Sequence, residues 1–241
     1  MSSDVLHSLN RLPLGRAEFS DIRKKGQVYV DKTAFLANIA KNDTPIFFSR
    51  PRRFGKSLLI TTFHSLFAKG LEDFQGLHLA KIWNDTTYQV IHLDFSTLAS
   101  KNPEDLKIAL SMAILQQFDL EKTFKNYHKS ELIYPDHILS SILKSINDNS
   151  LVLLIDEYDA PLTHHINQND EINEIINILN DFYATIKQYT GKFRFIFITG
   201  ITRTSHVSIF SAFNNIIDIS LENDYNELLR FTKNDLEYFF D

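Results

Sequence analysis

Apolar residues follow two patterns along this chain. In five segments they form short runs that predict strands: 46–48, 88–95, 151–155, 193–199 and 216–220. Elsewhere they recur at every third or fourth position, which predicts helices over 33–40, 56–69, 103–118, 135–146 and 171–189. Strands that alternate with helices are typical of an α/β fold, here a three-layer sandwich with a mainly parallel five-stranded sheet.

The two ends of the chain carry shorter patterns. Residues 19–24 predict a helix, and the apolar and aromatic segment 27–33 predicts a strand-like piece. Asp31 is placed to cap the helix that follows this piece. At the other end, Thr232 opens a capped helix within 231–241, and we expect the chain to stop inside that element.

A basic loop, Arg50-Pro-Arg-Arg-Phe-Gly-Lys-Ser57, joins the first predicted strand to the helix at 56–69. Strand, glycine-containing loop and helix, in that order, are typical of a P-loop that binds nucleotide phosphates. Arg50 stands where the pattern G-x-x-x-x-G-K-[ST] has its first glycine. Because Pro51 biases Arg50 towards an extended conformation, the chain can enter the loop without a left-handed residue there.

Each residue type in this loop suits one task. Gly55 would let backbone amides approach the phosphates, Lys56 would reach the β and γ phosphates, and the Ser57 hydroxyl would bind Mg²⁺. Arg52 and Arg53 are further candidates for phosphate contact; the alternative is that they are solvated loop arginines.

Two acids follow the predicted strand at 151–155. Asp156 can hold Mg²⁺ through its water shell, and Glu157 can polarise an attacking water. The alternative is a strand end with two solvated acids. Thr199, which closes the fourth strand, and Arg203 are candidates for sensing or stabilising the γ phosphate.

Composition narrows the choice of ligand and excludes some chemistry. The net charge is -5, yet residues 1–60 hold 11 Lys and Arg against 5 Asp and Glu, which favours a small polyanionic ligand near the loop. Nucleic-acid binding by this basic part stays open as an added property. Without cysteine, the chain has no thiolate metal site, disulfide or cysteine nucleophile. We expect neither a secretory signal nor a membrane span, and therefore a cytoplasmic protein.

Four motifs together resemble the bacterial AAA-ATPase-like family. They are Leu12-Pro-Leu-Gly15 with Phe19, Tyr29-Val-Asp-Lys-Thr33, Arg50-Pro-Arg-Arg-Phe-Gly-Lys-Ser-Leu58 and Ile155-Asp-Glu-Tyr-Asp-Ala-Pro161. The resemblance implies a P-loop ATPase core that uses ATP and Mg²⁺, with Phe54 and Leu58 also in the nucleotide-binding loop. It further implies that Tyr29 and Asp31 lie near the nucleotide base. Family members usually continue into a helical lid and often a nuclease-like domain, and we expect this chain to stop where the lid begins.

These observations give a division of the chain and two interpretations of its function. The predicted parts are an N-terminal extension with a lead-in helix (1–44), a P-loop ATPase core (45–222) and the start of a lid (223–241). In the first interpretation the chain binds ATP and hydrolyses it weakly with Mg²⁺, changing shape or assembly with nucleotide state. In the second it is a truncated nucleotide-binding or protein-interaction module without turnover. A homo-oligomer or a protein partner is compatible with both.

Overall fold

The computed structural model describes residues 12–98, 102–118, 134–163, 169–201 and 216–240. These residues fall into two compact units. The first unit comprises the chain up to residue 42, residues 51–88 and the chain from residue 219 onward. The second comprises residues 43–50 and 89–218.

The helices and strands are numbered separately in chain order. The described α-helices are α1 (Phe19–Lys24), α2 (Thr33–Ala40), α3 (Lys56–Lys69), α4 (Phe95–Leu98), α5 (Pro103–Leu115), α6 (Pro135–Ser145), α7 (Ala160–Thr163), α8 (Asn169–Gln188) and α9 (Lys233–Phe240). The described strands are β1 (Ile46–Ser49), β2 (Gln89–Asp94), β3 (Leu151–Asp156), β4 (Phe193–Gly200) and β5 (Ile217–Asp218).

The second unit contains the whole described sheet. Its strand order is β2-β3-β4-β1-β5, and every neighbouring pair is parallel. The structure therefore confirms the α/β class and the five-stranded sheet, as in P-loop NTPase sandwiches. All six residues of β3 are buried, which explains why the segment is apolar almost throughout. Because the strands are parallel, their carboxyl ends lie along one edge of the sheet.

Helices α5, α6 and α8 of this unit pack on one another and share a hydrophobic core with the sheet. In α5, Asn102 accepts a hydrogen bond from the Asp105 N–H at 2.9 Å, and Pro103 occupies the first turn, so the start of this helix is well specified. Helices α6 and α8 bury one apolar face each. Burying a leucine, isoleucine or phenylalanine side chain stabilises the fold by about 1.5–3 kcal/mol.

The first unit is built around α3. The Phe19 N–H of α1 donates to the Thr61 hydroxyl at 3.1 Å, and that hydroxyl in turn donates to the Ala17 carbonyl at 2.5 Å. Two short 3₁₀ helices, Glu72–Phe74 and His78–Lys81, follow α3. Helix α9 belongs to the same unit and begins with a capping box in which Thr232 and Asp235 exchange hydrogen bonds.

Most predicted elements are confirmed within one to three residues of their bounds. The bounds of α1, α2 and α3 are those predicted, and Gly70 follows α3 with a φ of 68°. The strand-like prediction for 27–33 is wrong, because residues 27–32 form neither strand nor helix. The short helices α4 and α7 were not predicted, and β5 is shorter than the run at 216–220. The division at residues 44 and 222 stays a prediction.

No helix in the described part of the chain is long and apolar enough to cross a membrane.

Candidate functional site

The loop between β1 and α3 contains two residues in the left-handed region. Arg53 has a φ of 67° and Gly55 a φ of 88°. Gly55 needs to be glycine because of this φ and not for lack of space, since an added Cβ would meet only Leu229 Cδ2, at 3.7 Å. A non-glycine residue in this conformation costs about 1–2 kcal/mol, so the loop stores strain at Arg53. The sequence pattern did not reveal this strain.

Lys56 is the first residue of α3 and is only 4% exposed. Its Nζ donates a hydrogen bond to the Pro51 carbonyl at 3.1 Å, so the side chain folds back over the loop. Ser57 follows it at the second position of the helix and is partly buried. The first turn of α3 contains no acidic residue. Its backbone N–H groups and the Lys56 ammonium therefore create a positive potential at this helix end.

Arg50, the first residue after β1, is hydrogen-bonded to the sheet through its backbone. Its N–H donates to the Gly200 carbonyl at 3.2 Å, which extends the β1–β4 pairing by one residue. The guanidinium lies 4.6 Å from the centre of the Phe48 ring and donates to the Ser49 carbonyl at 3.0 Å. Arg50 is not among the described residues with positive φ, which confirms that it needs no left-handed conformation.

The side chains at the tip of the loop are exposed. Arg52 and Arg53 are both open to solvent, and Phe54 is 43% exposed. Leu58, in the first turn of α3, is half-buried. Contact of these four residues with nucleotide stays a prediction.

Asp156 and Glu157 stand where β3 ends in the second unit. Asp156 is 3% exposed, and its Oδ1 accepts hydrogen bonds from the Thr199 hydroxyl and, at 3.1 Å, from the Glu157 N–H. Glu157 is half-buried and has a φ of 50°, a second strained non-glycine position. The two acids are therefore not a solvated pair at a strand end, because the fold fixes the first side chain and the backbone of the second.

Thr199 is fully buried near the end of β4 and contacts both acids. Its hydroxyl donates to Asp156 and accepts from the Glu157 N–H at 3.3 Å. The structure thus brings Thr199 together with the two acids, and gives its hydroxyl a direct role in orienting Asp156. Contact with a γ phosphate stays a prediction. Arg203 lies outside the described residues.

Tyr29 and Asp31 both have structural partners in the first unit. The Tyr29 ring packs edge-on against Phe19 with centroids 5.0 Å apart, and burial raises the pKa of its hydroxyl well above the ordinary value. Asp31 Oδ1 accepts from the Thr33 N–H at 2.9 Å, and Oδ2 accepts from the His78 N–H at 2.8 Å. Asp31 thus caps the start of α2 as predicted, and its second oxygen binds the first N–H of the 3₁₀ helix His78–Lys81. Proximity of either residue to a nucleotide base stays a prediction.

No three His, Cys, Asp or Glu side chains cluster as a metal site in the part of the chain that the structure describes. Mg²⁺ in nucleotide sites is commonly held by one or two protein oxygens together with phosphates and waters. The donors of the predicted metal residues, the Ser57 hydroxyl and the Asp156 carboxyl group, are the oxygen ligands that Mg²⁺ prefers.

A protein-family model described as Predicted AAA-ATPase matches residues 13–210, which include every predicted site residue. The chain belongs to this predicted AAA-ATPase family. Family membership supports nucleotide binding through a P-loop, and the resemblance found in the motifs is confirmed.

One relative in this comparison is a protein of Azotobacter chroococcum mcd 1, described as an uncharacterized protein in the vnfD 5'region. It is 32% identical to this chain over 240 residues, which are 97% of this chain and 45% of the relative. This member of the AAA-ATPase family thus spans less than half the length of the curated relative that it matches. No solved structure matches the chain significantly.

Proposed function

We propose that this chain binds ATP together with Mg²⁺ and hydrolyses it slowly. The observation that carries the proposal is the position of Lys56: this buried lysine folds back over the loop to the Pro51 carbonyl, at the start of a helix whose first turn contains no acidic residue. Backbone N–H groups at the start of a helix and a lysine ammonium together favour a bound anion. The phosphates of ATP are such an anion.

In this proposal the residues divide into two tasks. Lys56 and the amides around Gly55 bind the β and γ phosphates, and the Ser57 hydroxyl binds Mg²⁺. Asp156 holds the metal through water, and Glu157 orients the attacking water. The hydrogen bond from Thr199 supports this role for Asp156, because it orients the carboxyl group.

The enzyme proposal is tested by phosphate release from ATP in the parent chain and in Glu157→Gln. Positioned general-base help contributes about 10²–10⁴ in rate, so we expect Glu157→Gln to lose at least about a hundredfold while its ATP affinity stays near that of the parent. Glu174→Gln, on the exposed face of α8, is the matched control and should behave as the parent. If the parent binds ATP and releases no phosphate, the chain is a nucleotide-binding module and the proposed turnover is wrong.

A further inference from the structure

The segment after β3 is attached to the end of β4 at three successive residues besides Asp156. The Glu157 N–H donates to the Thr199 hydroxyl at 3.3 Å, and the Tyr158 N–H donates to the Thr199 carbonyl at 3.0 Å. The third attachment runs the other way: the Ile201 N–H donates to both oxygens of Asp159, at 3.1 and 3.3 Å. Hydrogen bonds to the end of β4 therefore hold the residues before and after Glu157 in the chain.

Asp159 is fully buried, although it is not one of the two acids assigned to metal and water. Burying a carboxyl group costs free energy, which hydrogen bonds such as these help to offset. Its bonds to the Ile201 N–H join the segment after β3 to the chain immediately beyond β4. The buried Asp159 side chain thus fixes the end of β3 relative to the end of β4.

Gly200 makes the close approach of these segments possible. A Cβ on Gly200 would lie 2.4 and 2.5 Å from two carbons of the Tyr158 ring, and 3.1 Å from Asp159 Oδ1. The same ring packs edge-on against Phe47 of β1, with centroids 5.4 Å apart. Any side chain at position 200 would therefore push Tyr158 away from β4 and disturb the residue next to Glu157.

We propose that Asp159 and Gly200 are positioning residues for Glu157, an inference that rests on the proposed ATP hydrolysis. Glu157 has a left-handed backbone, which a flexible segment would abandon for a less strained conformation. Asp159 holds the segment by its hydrogen bonds, and Gly200 holds it by allowing Tyr158 to pack directly on β4. Neither residue contacts the nucleotide in this proposal; both act through the placement of the Glu157 side chain.

The test compares kcat for phosphate release and the Kd for ATP in Asp159→Ala, Asp159→Asn and Gly200→Ala. A misplacement of about 1 Å at a catalytic group can cost about a hundredfold, so we expect kcat to fall about 10- to 100-fold in Asp159→Ala and Gly200→Ala. The Kd for ATP should stay within about twofold of the parent value. Asp159→Asn keeps an acceptor oxygen for the Ile201 N–H and should recover most of the rate. Gly191→Ala is the control for the glycine substitution, because its Cβ would meet nothing within 4 Å.

A double variant separates positioning from a general structural role. If Asp159 acts through Glu157, then Asp159→Ala combined with Glu157→Gln should be no slower than Glu157→Gln alone. A further loss in the double variant, or a parent-like kcat in Asp159→Ala, would overturn the assignment while leaving the proposed function in place. A parent chain that binds ATP without releasing phosphate would instead refute the proposed function, and the assignment with it. Circular dichroism melting of each variant shows which of them are folded. If Asp159→Ala is not folded, the kcat values of Asp159→Asn and Gly200→Ala decide whether the assignment stands.

Discussion

The ion pair between Lys32 and Asp235 gives a stability prediction whose size follows from the structure. The Lys32 Nζ lies 2.8 Å from Asp235 Oδ2, and the side chains are 14% and 20% exposed. The same oxygen accepts the Thr232 N–H at 2.7 Å and the Thr232 hydroxyl at 2.8 Å. This one carboxylate therefore attaches the start of α9 to the segment that precedes α2, within the first unit.

The perturbation is Asp235→Asn, and its magnitude comes from the pKa of the carboxyl group. Burial alone would raise this pKa, but Lys32 and the two Thr232 donors lower it from 3.8 to about 2. Such a fall corresponds to about 2 kcal/mol, and partial exposure to solvent reduces this to about 1–2 kcal/mol. We expect Asp235→Asn to lower the free energy of unfolding of the first unit by that amount at pH 7.

The pH dependence follows from the sign of the shift. Because the folded state has the lower pKa, the carboxylate contributes its full stabilisation above about pH 4. This contribution is lost as the pH falls from about 4 to about 2, where both states become protonated. The difference between parent and Asp235→Asn should therefore shrink over this interval.

The assay is urea unfolding followed by tryptophan fluorescence. Trp83 is the chain's single tryptophan, lies in the first unit and packs against Phe67 with ring centroids 5.8 Å apart, so its emission reports on the unit that holds the ion pair. Glu237→Gln is the matched control, since it breaks the exposed pair with Lys233 on the same helix and should change stability by less than about 0.5 kcal/mol. An Asp235→Asn midpoint equal to that of Glu237→Gln would refute the reasoning.

Three further predictions concern the site and the first unit. Thr199→Val removes the hydroxyl that orients Asp156, and should slow phosphate release about tenfold or more while ATP affinity stays unchanged; a parent-like rate in a phosphate-release assay would contradict this role. Gly55→Ala and Gly26→Ala both place a side chain at positive φ, so each should destabilise the fold by about 1–2 kcal/mol. Only Gly55→Ala should also weaken ATP binding. Equal ATP affinities of the two variants in titration calorimetry would contradict an effect specific to the loop. Asp73 accepts hydrogen bonds from two serine hydroxyls and a lysine, and these lower its pKa against the effect of burial. Asp73→Ala should therefore lower the free energy of unfolding by about 2–3 kcal/mol at pH 7, and by less as the pH falls below 3.8. A loss of stability that does not change with pH in the same fluorescence assay would exclude the charge as its cause.

Local patterns were sufficient for the elements with strong signals. Gly55 and Gly70 bracket α3, Pro103 starts α5, and the apolar run of β3 ends in its acid, so these elements could be located from the sequence. The segment 27–33 shows the limit of the same reasoning. Its apolar and aromatic residues suit a strand, but a strand forms only where a neighbour accepts its hydrogen bonds, and Tyr29 instead packs against Phe19.

Some residues of the candidate site could be predicted from local sequence, and others depend on contacts between distant parts of the chain. Lys56, Asp156 and Glu157 could be selected because motif and position in the chain point to them. The contact of Thr199 with both acids depends on β3 and β4 being neighbours in the sheet, which the sequence alone does not specify. The strain at Arg53 was missed because arginine carries no signal for a left-handed conformation. The role of Asp159 depends on Ile201, which lies 42 positions away in the chain.

The most direct test of the account is the affinity of the chain for Mg²⁺-ATP with and without the Lys56 ammonium. Titration calorimetry would compare the parent with Lys56→Ala and with Lys144→Ala, which removes an exposed lysine of α6. Losing a charge-assisted contact to phosphate costs about 1.5–3 kcal/mol, so we expect the affinity of Lys56→Ala to fall at least about tenfold and that of Lys144→Ala to remain at the parent value. A Lys56→Ala chain that is folded and binds Mg²⁺-ATP as tightly as the parent would contradict nucleotide binding by this loop.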